Sequence, residues 1–332
     1  MSSIWLLIRC LLALPWLVVR VIARHLLGRL PQRWPLPFAV AVAVLHFFVG
    51  AILGPLMAGR KLNLPSAPLR GRLGRETERR AGVLGDRPVE WLWPRETASK
   101  RCILYLHGGA FVTGSIDTHR PMMAQLAHAG AARVVGLDYR LAPQHPFPAA
   151  LDDCVAAWQA LLDAGEDPRQ MVIAGDSAGG GLAASTLLVL KAKGLALPAA
   201  AWLVSPAVDL ADDRPSWQRN LPFDYLAPLR GQLQRLVPTY LGANGNPMDP
   251  LASPVYGELT GLPPLLIHVG EREVLHDQVA AFAGRAQAAG VDTTLVVGAD
   301  MVHVYPAFLG LVPAAAEAFA EAGSFVQTHT PG

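Results

Sequence analysis

The sequence predicts an α/β fold, a mostly parallel sheet with helices on both faces. Three observations carry this. From about Val89, apolar runs of five to eight residues alternate with helix-like runs, most of them ended by glycine. The short runs are continuously apolar, as in strands buried on both faces. Finally, the 332-residue chain is 52% hydrophobic and only 16% charged, which is more apolar than an ordinary soluble core requires.

The elements follow in order. The segments VEWLW (89–93) and CILYLH (102–107) read as strands, MMAQLAHAG (122–130) as a helix ending at Gly130, and RVVGLDY (133–139) as a strand. The run 148–165 is a helix with Pro148 in its first turn and Gly165 at its end. Strand 171–175, helix 180–194 and strand 199–206 come next. A Pro-rich irregular segment covers 214–254. Strand 264–270, a helix 277–290 capped by Asp277, strand 293–298 and a terminal helix complete the body. Cys10, Cys102 and Cys154 are widely spaced, with neither a metal pattern nor a disulfide framework, and read as buried small hydrophobes.

The first eighty residues differ in kind. They carry a net charge of +10 and the remainder −8, within a total of +2. A basic, apolar segment points to an anionic membrane surface; long apolar runs argue against nucleic acid. Residues 36–58 are uncharged apart from one histidine, His46, which reads as a packing residue, and are long enough to cross a bilayer. Residues 4–22 are interrupted by Arg9, Pro15 and Arg20. On a helical wheel Arg9, Arg20 and Arg24 lie within about 60° of one another, as in a helix lying in the interface. No basic n-region or cleavage site marks a secretory signal, and flanking arginines on both sides leave orientation open. Residues 1–80 are therefore expected to associate with a membrane surface through 4–58, to cover the body as a lid, or both. Without the membrane the chain would be cytoplasmic. Residues 81–332 form the catalytic domain, with a cap at about 209–245.

In parallel sheets, ligands bind beyond the carboxyl ends of the strands. There, Gly175-Asp176-Ser177-Ala178-Gly179 matches G-x-S-x-G at a strand-to-helix turn, which projects a serine oxygen above the sheet and backs it with free helix N–H groups. A hydroxyl needs a base and an orienting acid. His303 follows the last strand at its carboxyl end and is the best base; His268 lies inside a strand and His329 in the tail. The acid belongs after strand 264–270, where Glu271, Glu273 and Asp277 are available. Asp277 has a capping role, Glu273 is the choice and Glu271 its rival. Gly108 and Gly109, at the end of the strand in LYLHGGAF, are expected to form an oxyanion hole with the N–H of Ala178. Phe111, Trp217, Phe223, Tyr225 and Tyr240 are expected to line the substrate pocket.

From Gly82 to the C-terminus the chain resembles the hormone-sensitive-lipase-like family of α/β-hydrolases. The resemblance rests on YLHGGAF, DYRLAPQHPFPAALDD, GDSAGGGLA, PMDPLASP, GLPPLLIHVGEREVLHDQ and MVHVY. It implies an α/β-hydrolase fold with a helical cap, Ser177 as nucleophile, His303 as base, and Gly108, Gly109 and Ala178 as oxyanion donors. The family spaces its acid, leucine and aspartate as in Glu273-Val274-Leu275-His276-Asp277, which favours Glu273. Three departures stand out: Gln144 where glutamate is common, Gly298-Ala299-Asp300 where a Pro-Gly turn is common, and the apolar N-terminal extension, which a membrane-anchored branch of the family makes intelligible. The expected activity is hydrolysis of apolar acyl esters by a Ser-His-Glu triad, without metal or cofactor, on a small-molecule or lipid ester. Lactonase, amidase or deacetylase activity on a membrane lipid or glycolipid is the alternative; a non-catalytic receptor fits less well because all three triad residue types are present.

Overall fold

The computed structural model describes residues 3–59 and 66–331, with side chains from residue 14 onward. Arg9 and Cys10 as side chains, and Arg60 and Lys61, lie outside this range. Two long helices come first, α1 (Ser3–Leu26) and α2 (Leu36–Met57), then a single turn, α3 (Gly71–Glu76). The body runs β1 (Thr77–Leu84), β2 (Arg87–Pro94), β3 (Cys102–Leu106), α4 (Ile116–Gly130), β4 (Arg133–Leu137), α5 (Ala149–Asp163), β5 (Met171–Asp176), α6 (Ala178–Ala192) and β6 (Ala200–Val204). Short helices α7 (Ser216–Arg219) and α8 (Leu233–Leu241) interrupt the alternation before β7 (Leu265–Gly270), α9 (His276–Ala288), β8 (Thr293–Gly298) and α10 (Pro313–His329).

The eight strands form one sheet in the order β1-β2-β4-β3-β5-β6-β7-β8. Only β2 opposes the rest: it pairs antiparallel with β1 and β4, and every other pair is parallel. The expected boundary at residue 80 falls inside β1, whose pairing with β2 makes it part of the sheet.

Side chains alternate across the strands, so each strand feeds two cores. In β3, Cys102, Leu104 and Leu106 face the core under α5, α6 and α9, where Trp158, Leu182 and Phe282 are buried. Ile103 and Tyr105 face the other core, with Met123 of α4 and Phe319 of α10. This two-sided burial is why the central strands are apolar without alternation. Cys102 and Cys154 are free and buried.

One expected cap is wrong. The N-cap position of α9 is Leu275, and Asp277 sits inside the first turn. Its carboxylate instead accepts from Ser216 N at 2.9 Å and pairs with Arg219 at 2.7 Å, tying α9 to the segment between β6 and β7. The helix begins one residue before Asp277 because the turn after β7 closes at Glu273, whose carbonyl accepts from His276 N.

Candidate active site

The site lies above the carboxyl ends of β3, β5 and β7. Ser177 occupies the one residue between β5 and α6, with φ 53° and ψ −120°. That backbone region is costly for a side-chain-bearing residue, and its neighbours hold it there. Ser177 N donates to Val204 O at 2.8 Å, and its carbonyl accepts from Gly181 and Ala207. The turn is also tight: a Cβ at Gly179 would collide with the carbonyl oxygens of Leu106 and His107. The glycine therefore lets α6 start directly against β3, and the serine projects into a cavity of about 520 Å³.

His303 borders the same cavity, from the loop between β8 and α10. It is buried, and its Nδ1 lies 3.6 Å from Glu273 Oε1. This is ion-pair distance, longer than a hydrogen bond, as is common before substrate tightens such contacts. Among the described residues neither ring nitrogen of His303 has a hydrogen-bond partner. The other oxygen of Glu273 accepts from Ser205 Oγ at 2.6 Å and Gly270 N at 3.0 Å. Glu271 is used differently. Its Oε2 accepts from Asp300 N at 2.8 Å and so shapes the loop leading to His303. Asp300 in turn pairs with Arg272 at 2.9 Å, in place of the Pro-Gly turn usual in the family.

A second serine and histidine lie nearby and are spoken for. Ser205 Oγ bridges Glu273 and Val304 N, and His268 lies between Trp202 Nε1 at 2.9 Å and Glu321 at 2.8 Å. Both are fully buried and neither borders the cavity. Ser205 positions the acid, and His268 is a core histidine whose pKa burial pushes down, with Glu321 opposing.

The oxyanion loop corrects one expectation. Gly108 N is already engaged, donating to Asp176 Oδ1 at 3.1 Å. Among the described residues the next two amides, Gly109 and Ala110, have no protein acceptor, and both residues line the cavity with Ala178. Ala110 takes a left-handed conformation, φ 54°, which turns the chain there. Asp176, the unspecified residue of G-x-S-x-G, is thus the anchor of this loop. It also accepts from Tyr105 Oη at 2.7 Å and faces His119 at 3.4 Å. Burial opposes its ionisation, but His119, Tyr105 and His107 outweigh burial and hold its pKa below the usual carboxylate value.

Of the expected pocket aromatics, Phe111, Trp217, Tyr225 and Tyr240 line the cavity and Phe223 does not. Phe111 stacks on Tyr240 with centroids 3.8 Å apart. Phe223 lies under Arg272 at 5.2 Å, packs against the cluster around Trp34 and Phe38, and borders a separate cavity. Much of the remaining apolar wall comes from α2, through Leu45, Val49, Ile52, Leu53 and Leu56, and from the region of α8, through Leu233, Leu236 and Val237.

The segment between β6 and β7 also clasps the acid loop. Asn220 Nδ2 donates to the carbonyls of Glu271 at 3.0 Å and Glu273 at 2.8 Å, and Asp224 Oδ2 accepts from Val274 N at 2.6 Å. Asp224 is buried, and burial, opposed by His303 and reinforced by Glu273, raises its pKa to about 6. For His303 burial acts downward, but Glu273, Asp224 and Asp176 prevail and raise its pKa. A base must be neutral to act, so kcat/KM should rise with pH through a pKa above the ordinary histidine value. Asp224→Asn removes one of these anions. The acid limb of the kcat/KM profile on p-nitrophenyl butyrate should then move to lower pH; a limb that stays or moves up would show that Asp224 does not act on His303.

A cavity-lining serine at a strained strand-to-helix turn, free amides opposite it and a carboxylate-backed histidine together define a serine hydrolase of the α/β-hydrolase class. The family model for the alpha/beta hydrolase fold matches residues 103–307. The chain is 42% identical over 248 residues to an acetyl-hydrolase of Streptomyces hygroscopicus, covering 75% of this chain and 82% of that one. It is 36% identical over 230 residues to an esterase of Acinetobacter venetianus, covering 69% and 76%. The crystal structure of an esterase from the bacterial hormone-sensitive lipase family superposes with a TM-score of 0.75 at 35% identity, over 96% of this chain and 98% of that one. The homologue EstE7, from a metagenome library, gives 0.76 at 36% identity, over 87% and 97%. The chain belongs to the hormone-sensitive-lipase-like esterase/lipase family of α/β-hydrolases. It is a serine hydrolase of the esterase/lipase type.

Proposed function

We propose that Ser177, His303 and Glu273 are the triad of a carboxylesterase acting on apolar acyl esters. One observation carries this: Ser177 and His303 border one cavity, and the ring nitrogen of His303 directed away from that role faces the buried Glu273. His303 Nε2 takes the Ser177 proton as Oγ bonds to the ester carbonyl carbon. The tetrahedral oxygen takes hydrogen bonds from the N–H groups of Gly109, Ala110 and Ala178. The imidazolium, stabilised by Glu273, passes its proton to the leaving alcohol as the C–O bond breaks. Water then attacks the acyl-enzyme, giving its proton to His303, and the acid departs with Ser177 restored.

Helix α2 with residues 209–245 acts as the cap over this site, and the aliphatic walls favour a hydrocarbon acyl or alcohol group. The name of the Streptomyces relative supports a second reading, removal of acetyl from a larger apolar molecule whose alcohol portion fills the cavity. A series of p-nitrophenyl esters separates the two: rates rising beyond acetate support an acyl pocket, and a sharp preference for acetate supports the other. A fluorophosphonate probe, followed by peptide mapping, tests the triad. The label is expected on Ser177; label on Ser205, or none, overturns the assignment. The basic, apolar N-terminus further suggests a membrane surface as partner. By length and composition α2 is the one described helix able to cross a bilayer.

A further inference from the structure

The exposed large hydrophobic side chains of this protein are unevenly distributed. Of ten among the described residues, six lie at residues 14–27, in α1 and the turn that follows it. Trp16 is 66% exposed, Val19 64% and Leu26 80%. At 100° per residue Trp16, Val19, Ile22 and Leu26 share an arc of about 120°. Val21 on the opposite side is buried against α2 and its surroundings. Thus α1 buries one edge and shows water a second apolar face, which is costly for a helix surrounded by solvent.

The charge beside that face has one sign. Arg20 and Arg24 follow Trp16 around the wheel, and Arg20 stacks over the Trp16 ring at 5.5 Å. Both arginines, with His46, border a second cavity of about 470 Å³ between α1, α2 and Phe223. The first acidic residue of the chain is Glu76. An apolar stripe with an aromatic at its margin and arginines alongside, unrelieved by carboxylates, matches the boundary between acyl chains and anionic headgroups.

Helix α2 has the composition of a spanning segment but already has a place. Phe38 is fully buried, packed edge-on between Trp34 at 5.2 Å and Phe308 at 5.0 Å. Further along, Val49, Ile52 and Leu56 form the wall of the catalytic cavity. Carrying α2 into a bilayer would unpack Phe38 and remove that wall.

We infer that the protein docks on one leaflet of an anionic membrane through the exposed face of α1, with Arg20 and Arg24 on phospholipid phosphates, while α2 stays on the protein as the partition between the membrane-facing cavity and the catalytic one. This deepens the membrane partner proposed above and is independent of the triad. Docking sets the catalytic cavity one helix away from the lipid surface, the source of apolar ester substrates.

The test is flotation of the full chain with phosphatidylcholine vesicles and with vesicles of phosphatidylcholine and phosphatidylglycerol in equal parts. Wild type should float with the anionic vesicles and be released by alkaline carbonate. Arg20→Glu with Arg24→Glu, and separately Trp16→Ala with Leu26→Ala, should each lower partitioning at least about tenfold. Neither pair borders the catalytic cavity, so hydrolysis of dissolved p-nitrophenyl butyrate should match wild type and report an intact fold. A failure of the esterase reading would appear in that assay and leave vesicle binding unchanged. Three results overturn the inference: equal flotation of wild type and variants, resistance to carbonate as for a spanning α2, or a vesicle-independent dimer abolished by the Trp16 and Leu26 changes, which would make a second copy the occupant.

Discussion

Replacing Ser177 with alanine is expected to lower kcat on p-nitrophenyl butyrate by about a million-fold, close to the uncatalysed rate plus what binding and the oxyanion donors supply. Ser205, the nearest candidate by sequence position after β6, cannot substitute, because it is closed in by Glu273 and Val304. The variant should fold as well as wild type, because the Ser177 side chain makes no capping hydrogen bond to α6. The relevant measurements are kcat by active-site-normalised kinetics and the unfolding midpoint of the same preparation. Turnover near wild type would end the assignment of Ser177, and loss of activity accompanied by a large fall in the midpoint would not count in its favour.

The second large effect is expected at Glu273. Glu273→Gln should reduce kcat by roughly a thousand- to ten-thousand-fold, for a reason that follows from hydrogen-bond polarity. One carboxylate oxygen receives two donors, Ser205 Oγ and Gly270 N. Glutamine must present its carbonyl there, which turns its NH2 group toward His303 Nδ1. That nitrogen then has to accept, so the proton moves to Nε2, the atom that must be free to take the serine proton. The charge that raises the His303 pKa is lost as well, so the residual activity should show its acid limb at lower pH. A variant retaining most of its kcat would mean that the 3.6 Å separation from His303 never closes during turnover.

The two variants draw on different layers of the protein. Ser177 depends on a turn built from neighbours in sequence, and that kind of information is legible in a linear chain. Gly175, Ser177 and Gly179 are spaced for one strand-to-helix junction, and the apolar run before them has the length of a buried strand. The segments holding His303 and the candidate acids were legible for the same reason: each follows a recognisable strand at its carboxyl end, and in a parallel sheet those ends share one side. Position left Glu271 and Glu273 open, and the family resemblance favoured Glu273.

Elsewhere neighbouring residues in sequence diverge in space. Gly108 and Gly109 are adjacent glycines with equal claims as oxyanion donors, yet the first amide is bound by Asp176, 68 positions away. Nothing within LYLHGGAF indicates that pairing, nor that the Ala110 amide is left without a protein acceptor among the described residues. The aromatic residues at 217–240 share a composition, but Phe223 packs under Arg272 and against the cluster around Trp34 and Phe38, outside the pocket. The clasp of Asn220 and Asp224 on the acid loop joins segments about fifty residues apart, each unremarkable alone.

The sequence by itself determined the alternation of strands and helices from about Val89, the mostly parallel sheet that this implies, the turn that carries the serine and the basic, apolar character of the N-terminus, because strand periodicity, turn geometry and charge are properties of short stretches. It showed neither β1 nor the place of each strand in the sheet. Only the tertiary structure decided which amides stay free, which carboxylates bias His303, and that α2, apolar enough for a bilayer, walls the catalytic cavity. Those outcomes depend on which distant groups the folded chain brings together, as it brings the Gly108 amide, Tyr105 Oη and His119 around Asp176.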